Sequence, residues 1–268
     1  MSELLSIPFM RNVLLAGVLV ALGLAPLSIY VVLRRIVFVG AAVAEISSAG
    51  VALAVLFNFE PFAAALVLTI ATFLLFSRAA DPPRLPLEAL IGMLYAGGSA
   101  AAVLLIVKAP RGEGDILNVL FGNILTVPTA LLWLMLAVFA IVSAIQYLAA
   151  KEFLIVAYDP DMARAMGIRV DRWNTIFYVA MGVAVAVAIR GVGALLTFAL
   201  LVAPGAAALC FAESMAAGFA IATGLGLAAT VVGIVLSYSM DLPTGPAIVA
   251  ILTAAFAVSY CWAALRRA

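Results

Sequence analysis

Apolar residues fill the chain in long blocks, and polar residues are confined to short breaks between them. The blocks lie near residues 12–33, 36–57, 61–77, 88–107, 128–148, 174–190, 192–209, 217–238 and 244–264. A helix needs about 20 mostly apolar residues to cross a bilayer, and most of the blocks are near that length. The pattern therefore predicts an all-α polytopic membrane protein with about nine transmembrane helices. Eight is the alternative, because two blocks meet at Arg190–Gly193 with almost no loop.

The composition supports this interpretation and excludes other classes. The 268 residues are 68% apolar and 10% charged, whereas soluble domains are about half apolar and a quarter charged. A net charge of +1 without a basic cluster argues against a nucleic-acid partner. Cys210 and Cys261 lie far apart in apolar blocks, so we expect neither a disulfide framework nor a thiolate metal cluster. We expect a single transmembrane domain over 1–268, surrounded by lipid.

The basic residues predict the orientation in the membrane, because Lys and Arg are retained on the cytoplasmic side. If the polar loop 149–173 is cytoplasmic, ten basic residues lie on that side and three on the other. The cytoplasmic ten are Arg34, Arg35, Arg78, Arg84, Lys151, Arg164, Arg169, Arg172, Arg266 and Arg267. The other three are Arg11, Lys108 and Arg111. We therefore expect the N-terminus outside and the C-terminus in the cytoplasm.

Three of the breaks predict local structure of their own. The segment Tyr158–Arg169 begins with Asp-Pro-Asp and has Gly167 near its end, a pattern typical of a capped short helix. In the segment Pro204–Ala217, the proline is expected to break a membrane helix and to leave a turn of helix rich in small residues. The segment 115–128 is apolar but too short to span, which predicts an interfacial or re-entrant piece.

Six motifs in order carry a resemblance to a known family. They are VVLRRIVFVGAAVAEISSAGVALA (31–54), LEALIGMLYA (87–96), LFGNIL (120–125), DPDMARAMGI (159–168), VGALLTFALLVAPGAAA (192–208) and SYSMDLPTGPAIV (237–249). No motif is specific alone, but their order and spacing resemble the permeases of the zinc, manganese and iron class of bacterial ABC transporters. The resemblance implies a type II ABC importer-like permease fold in a bacterial or archaeal plasma membrane (the inner membrane, where there are two).

The same resemblance implies a set of partners. It implies a homodimer of this subunit, or a pair with a close relative, joined to two cytoplasmic ATPase subunits and an extracytoplasmic solute-binding protein. The implied function is import of a divalent metal ion or a metal-bearing solute by alternating access. The 268 residues contain no G-x-x-x-x-G-K-[ST] phosphate loop. We therefore expect a transport subunit and not an enzyme, with no cofactor of its own and with ATP used by the partner ATPase.

Two stretches are the expected contacts with that ATPase. Resemblance to the broader ABC importers that include the iron-siderophore permeases places a coupling helix at 206–217. Its candidate contact residues are Ala206, Ala207, Ala208, Glu213 and Ser214. A second contact is expected at Asp159, Asp161 and Arg164, for which a capped surface loop without a partner is the alternative.

Glu45 is the strongest candidate for the substrate pathway. It lies about ten residues into the second apolar block, where an ionised carboxylate costs about 2.5–3.5 kcal/mol on insertion scales. Such residues usually face a pathway or a partner, and a helix-packing ion pair is the alternative. Ser48 follows one turn later and Ser47 lies beside it. The predicted pathway is therefore Ala41, Glu45, Ser47 and Ser48.

Here the chain departs from the family that it resembles. Those permeases typically carry Asp and His four residues apart on this helix, where this chain has Ala41 and Glu45, and the chain contains no His at all. A zinc site with nitrogen ligands is therefore not carried over. Oxygen ligands suit harder cations such as manganese or magnesium, so Glu45 is the one candidate metal ligand, with two copies converging in a two-fold dimer. The alternative is the same architecture moving a non-metal solute.

Arg190 is a second candidate buried charge. Helix rise places it about 24 Å from the cytoplasmic end of its span, against about 14 Å for Glu45. Snorkelling to the outer interface is therefore favoured over an ion pair with Glu45. An intramembrane enzyme or a secondary transporter would need paired polar groups or internal repeats, and the apolar blocks show neither.

Overall fold

The computed structural model describes residues 8–79, 86–108 and 127–267, and every regular element in these ranges is a helix. The eleven helices of the described ranges are α1 (Pro8–Leu33), α2 (Val39–Phe57), α3 (Pro61–Ala79), α4 (Leu87–Lys108), α5 (Thr129–Leu148), α6 (Ala150–Tyr158), α7 (Pro160–Ala165), α8 (Val170–Val192), α9 (Ala194–Leu209), α10 (Met215–Met240) and α11 (Thr244–Arg267). Each of the nine apolar blocks corresponds to one of the long helices.

Eight of the described helices are long and apolar enough to cross a membrane. The ninth, α9, has 16 residues and is about 24 Å long, which is short of the roughly 30 Å hydrocarbon core. One residue, Gly193, separates it from α8, with a φ of +87°. The prediction of an all-α membrane protein with eight or nine spans is confirmed. The uncertain ninth span is the short helix α9.

Helix α1 lies at the centre of the bundle. It packs against α5, α8, α9 and α10, while α2 packs between α3 and α4 and also contacts α9. Helix α3 packs against α8 as well, whereas α4 packs mainly on α2, and α11 packs on α9 and α10. The helix α2 that carries Glu45 is therefore fixed by neighbours on several sides.

Glycines allow the closest helix contacts. A Cβ atom on Gly205 of α9 would lie 2.5 Å from the carbonyl carbon of Ser28 in α1. A Cβ atom on Gly50 of α2 would lie 2.9 Å from the Cα atom of Ala65 in α3. Because lipid tails are as apolar as leucine, membrane helices associate through close packing of small residues and not through exclusion of water. These contacts set the spacing of α1, α9, α2 and α3.

The predicted break at Pro204 is wrong. Helix α9 continues through Pro204 to Leu209, because neighbouring helices in a membrane bundle satisfy the backbone groups that a proline frees. The predicted coupling helix at 206–217 is consequently not a separate helix. Its first residues belong to α9, a turn follows, and α10 begins at Met215, where the Ser214 Oγ accepts a 3.2 Å hydrogen bond from the Ala217 N–H.

The loop 149–173 contains the two short helices α6 and α7. Asp159 caps α7, and its carboxylate accepts hydrogen bonds from the N–H groups of Asp161 at 3.0 Å and Met162 at 2.9 Å. Gly167 follows α7 with a φ of +80°, so the predicted capped helix is confirmed. Of the predicted interfacial segment 115–128, only Val127 and Pro128 are described; the LFGNIL motif, Arg84 and Arg111 also lie outside the described residues.

The contact between α1 and α9 generates a stability prediction. We expect Gly205→Ala to destabilise the protein by about 1–3 kcal/mol, because the added methyl group meets backbone that cannot move aside. Gly92→Ala on α4 is the control, since a Cβ atom there has no other atom within 4 Å. Thermal unfolding in detergent measures both. Equal unfolding temperatures for the two variants would contradict this description of the α1–α9 contact.

Candidate functional site

Glu45 lies on a partly exposed stripe of α2. The stripe begins at Phe38, which is 70% exposed, and continues one turn at a time through Ala41 and Glu45, both partly exposed. Residues 46–52 are all buried. The structure therefore places Ala41 and Glu45 on one face, as the four-residue spacing predicts, and the described residues of one copy leave this face partly open.

Helix contacts cover the other sides of α2. Gly98 of α4 approaches so closely that a Cβ atom there would lie 3.0 Å from the Ile46 backbone nitrogen and 3.2 Å from the Glu45 carbonyl carbon. Gly50 makes the equivalent contact with α3 one turn later. The direction in which Glu45 faces is thus set by the backbone contacts of α2.

Ser47 and Ser48 do not share the open face. Ser47 is 3% exposed and Ser48 is 1% exposed, and the Ser48 Oγ donates a 2.9 Å hydrogen bond to the Ala44 carbonyl oxygen. Placing Ser47 and Ser48 in the open pathway is therefore a correction to the sequence analysis. The physical reason is that α2 packs closely on both α3 and α4, which encloses these small side chains.

Arg190 is exposed and is not the buried charge that the sequence analysis considered. Its guanidinium carbon lies 3.9 Å from the centroid of the Phe62 ring at the start of α3. Helix α8 ends only two residues later, at Val192, so the side chain reaches the end of the span. Arg190 therefore makes a cation–π contact between α8 and α3 and does not form the ion pair with Glu45.

Arg34 is a partly buried charge that the sequence analysis missed. Its Nη1 donates a 2.6 Å hydrogen bond to the Asn174 Oδ1, and its guanidinium carbon lies 4.2 Å from the Phe177 ring centroid. Burial lowers the pKa of the guanidinium from its ordinary value, although arginine remains charged in proteins. The contact joins the end of α1 to the start of α8. The sequence feature that could have indicated this contact is Asn174, a polar residue at the start of an apolar block.

Aromatic rings extend this contact to α6. The Phe153 ring of α6 lies 5.9 Å from the Tyr30 ring, 5.6 Å from the Phe177 ring and 5.7 Å from the Trp173 ring. These edge-to-face pairs have the preferred geometry of aromatic contacts. The base of the 149–173 loop is therefore attached to both α1 and α8.

Helix α7 has an enclosed side and an exposed side. Ala163 is 0% exposed and packs with Val156 and Val170. Met162 of α7 is 58% exposed, and Tyr158 before the helix and Met166 after it are 79% and 59% exposed. Asp161 and Arg164 form a 2.9 Å ion pair on the exposed side. Together with Asp159, these predicted contact residues lie among three exposed apolar side chains that the sequence analysis missed.

The residues of the other predicted contact are divided. Ala207 and Ala208 are 0% exposed, because they lie inside α9 among its neighbours, and Ala206 is partly buried. Glu213 and Ser214 are exposed in the turn before α10. Ala207 and Ala208 are therefore not available to a partner chain, which corrects this part of the prediction, whereas Ala206 remains partly exposed.

Few of the described side chains could act as ligands for a cation. Among the residues that the structure describes, no three His, Cys, Asp or Glu side chains are grouped so that they could hold a metal ion. One copy of the chain offers a single carboxylate, Glu45, on the open face of α2. Such a site suits brief contact with a passing cation better than long-term binding, because stable hard-cation sites use six or more oxygen ligands.

Known proteins resemble this chain over almost its whole length. The chain is 31% identical over 259 residues to the uncharacterized membrane protein slr2045 of Synechocystis, an alignment that covers 97% of this chain and 92% of that protein. It is 25% identical over 252 residues to the manganese import system permease protein ScaB of Streptococcus gordonii, covering 94% and 90%.

The fold also matches a solved structure. PsaBC from Streptococcus pneumoniae, in complex with a Fab, superposes with a TM-score of 0.82 at 24% identity and covers 97% of this chain and 95% of that chain. The model of the ABC 3 transport family matches residues 6–263. Because this match covers nearly the whole sequence, the chain belongs to the ABC 3 transport family.

Proposed function

We propose that the chain is the permease subunit of an ATP-driven importer of a divalent metal ion, with manganese as the expected substrate. The observation that carries the proposal is a carboxylate within a membrane helix, on a face of that helix that the described residues leave partly open. Relatives over almost the whole length are named as manganese import permeases, which supports a metal over a non-metal solute.

The chemistry of Glu45 supports manganese over zinc. Carboxylate oxygens suit manganese and magnesium, whereas zinc sites commonly use the nitrogen and sulfur ligands that this face of α2 lacks. In a two-fold pair of chains with the pathway on the axis, two copies of Glu45 would face the same cation. Their charge would offset the cost of bringing a divalent ion into the membrane.

The partner subunits follow from the same proposal. The chain carries no phosphate loop, so two ATPase subunits supply the energy, and an extracytoplasmic binding protein delivers the metal. The distribution of ten basic residues against three supports a cytoplasmic 149–173 loop and C-terminus and an N-terminus outside. A second copy of the chain completes the pathway.

The exposed side of α7 is the favoured contact with the ATPase. Met162 and the Asp161–Arg164 pair are exposed on this helix, and Tyr158 and Met166 are exposed immediately before and after it. The turn that contains Glu213 and Ser214 offers only a small second contact. Because α6 connects α7 to α1 and α8 through the Phe153 cluster, a movement of α7 would act directly on the central helix of the bundle.

The role of Glu45 can be tested by uptake. In proteoliposomes containing the assembled importer, we expect Glu45→Ala to lower ATP-dependent manganese uptake at least about tenfold, equivalent to about 1.4 kcal/mol. Glu45→Asp keeps the carboxylate and should retain part of the uptake. Glu60→Gln, at an exposed position beside α3, is the matched control. Normal uptake by a Glu45→Ala complex that assembles correctly would rule out the proposed role.

The open face of α2 can be tested by thiol accessibility. After Cys210→Ala and Cys261→Ala remove the native thiols, Ala41→Cys and Glu45→Cys should react with a charged methanethiosulfonate reagent. Ser48→Cys should react at least about tenfold more slowly, because buried thiols are inert. The reaction rates in the assembled complex are the measurement. Unreactive thiols at both 41 and 45 would indicate a face in contact with lipid and would contradict a water-filled pathway.

The ATPase contact can be tested by crosslinking in the same thiol-free background. We expect Met162→Cys on the exposed side of α7 to crosslink to the ATPase with an efficiency that changes with bound nucleotide. Ala163→Cys, one residue away on the enclosed side, should not crosslink. Crosslinking from Ser214→Cys without any from Met162→Cys would place the main contact at the turn before α10 instead.

A further inference from the structure

Arg34 projects from a rigid end of α1. Its backbone N–H donates a 2.9 Å hydrogen bond to the Tyr30 carbonyl oxygen, and the Ile36 N–H donates one of 3.1 Å to the Val31 carbonyl oxygen. Arg35 adopts the left-handed conformation, with a φ of +57°. This pattern is a Schellman helix end, in which the backbone that follows the helix satisfies its last carbonyl groups. The Arg34 side chain therefore starts from a fixed position.

The guanidinium group of Arg34 is not fully satisfied. Its Nη1 donates to the Asn174 Oδ1, whereas Nε and Nη2 are buried and have no hydrogen-bond partner in the part of the chain that the structure describes. These two atoms carry three N–H groups, and unpaired polar groups are costly away from water. Replacing a buried charged contact by apolar side chains is often neutral or stabilising. Stability alone therefore does not explain a cation at this position.

Arg34 lies between the aromatic cluster of the 149–173 loop and helix α3. On one side, its guanidinium carbon lies 4.2 Å from the Phe177 ring centroid, and that centroid lies 5.6 Å from the centroid of the Phe153 ring in α6. On the other side, the same carbon lies 5.8 Å from the Tyr178 ring centroid, which lies 6.4 Å from the centroid of the Phe73 ring in α3. Arg34 and α8 thus connect the base of the loop to α3.

Close helix contacts continue this connection to the helix of Glu45. A Cβ atom on Gly182 of α8 would lie 2.7 Å from the Phe73 ring, so α8 lies directly against α3. A Cβ atom on Gly50 of α2 would lie 2.9 Å from the Ala65 Cα atom of α3. Glu45 precedes Gly50 by five residues on the same helix. Because packed interiors transmit strain, a displacement of α8 would act on α3, and through α3 on α2.

We propose that Arg34 is a positioning residue that couples the ATPase contact to the substrate pathway. It holds the first turns of α8 to the end of α1, so that a movement of the 149–173 loop carries α8 with it and reaches the face of α2 that contains Glu45. Without this hydrogen bond and cation–π contact, the loop moves while the pathway stays behind. The proposal rests on the proposed function, in which α7 is the contact with the ATPase.

Coupling is demonstrated when both ends of a path respond to one event, so the test measures both ends. In the chain without native thiols, crosslinking from Met162→Cys reports on the ATPase contact, and the methanethiosulfonate reactivity of Ala41→Cys reports on the open face of α2. Each is measured in the assembled complex with and without a non-hydrolysable ATP analogue. We expect the nucleotide to change both signals when Arg34 is present.

Arg34→Met keeps a long apolar side chain but removes the charge and the hydrogen-bond donors. We expect the crosslink from Met162→Cys to keep its dependence on nucleotide. The change in reactivity at position 41 should fall at least about fivefold, the lower end of typical coupling between sites. A residue that merely supported the fold would alter both signals or neither.

Two further variants complete the experiment. Asn174→Leu removes the same hydrogen bond, so it should lower the response at position 41, and its combination with Arg34→Met should be no worse than Arg34→Met alone, because both substitutions break one contact. Arg35→Met is the matched control, since Arg35 is exposed and its loss removes one positive charge beside Arg34. It should leave both signals unchanged.

Four results would overturn the proposal. They are a nucleotide-independent reactivity at position 41 when Arg34 is present, an intact response in Arg34→Met, a lost response in Arg35→Met, and a crosslink from Met162→Cys that loses its nucleotide dependence in Arg34→Met. Additive losses in the double variant would likewise contradict a shared contact. These measurements do not involve the cargo. A native complex that responds at position 41 but imports no manganese would instead contradict the proposed function.

Discussion

Close contact between helix backbones is the constraint on which the rest of the structure depends. The membrane provides no hydrophobic driving force between helices, so packing has to hold the bundle together. Gly205 meets Ser28 between α9 and α1, and Gly233 meets Ile248 between α10 and α11, in each case with no room for a side chain. These contacts fix the helices in one arrangement, and the functional groups take their positions from it.

Glu45 shows how this constraint produces a site. The carboxylate belongs to a single residue, but the direction in which that residue faces is set by Gly98 of α4 on one side of α2 and by Gly50 on another. Those glycines bring α4 and α3 against the helix and enclose Ser47 and Ser48. What remains open is a stripe through Ala41 and Glu45. The proposed site is therefore a single carboxylate on a rigid helix, suited to contacting a cation without retaining it.

Much of the fold could be predicted from the sequence because long apolar blocks have only one stable form in lipid. The block at 217–238, for example, corresponds to α10, Met215–Met240. The continuation of α9 through Pro204 could not be predicted by the rules for soluble helices, because neighbouring helices in a membrane bundle support the proline. The enclosure of Ser48 could not be predicted either, since it depends on contacts with α3 and α4. From the sequence alone, Arg34 is expected to be a solvated charge at the end of a span. Its contacts with Asn174 and Phe177 depend on the packing of α8 against α1.

The central claim is that the carboxylate at position 45, with no histidine or aspartate at positions 41 and 45, matches the transported cation. The most direct measurement is competition by zinc during manganese uptake in the reconstituted importer, comparing the native chain with an Ala41→Asp, Glu45→His double variant. Histidine nitrogen favours zinc, so the account predicts that zinc inhibits manganese uptake more strongly in the variant than in the native complex. Equal inhibition by zinc in both complexes would contradict the account, because it would show that the cation does not contact these side chains.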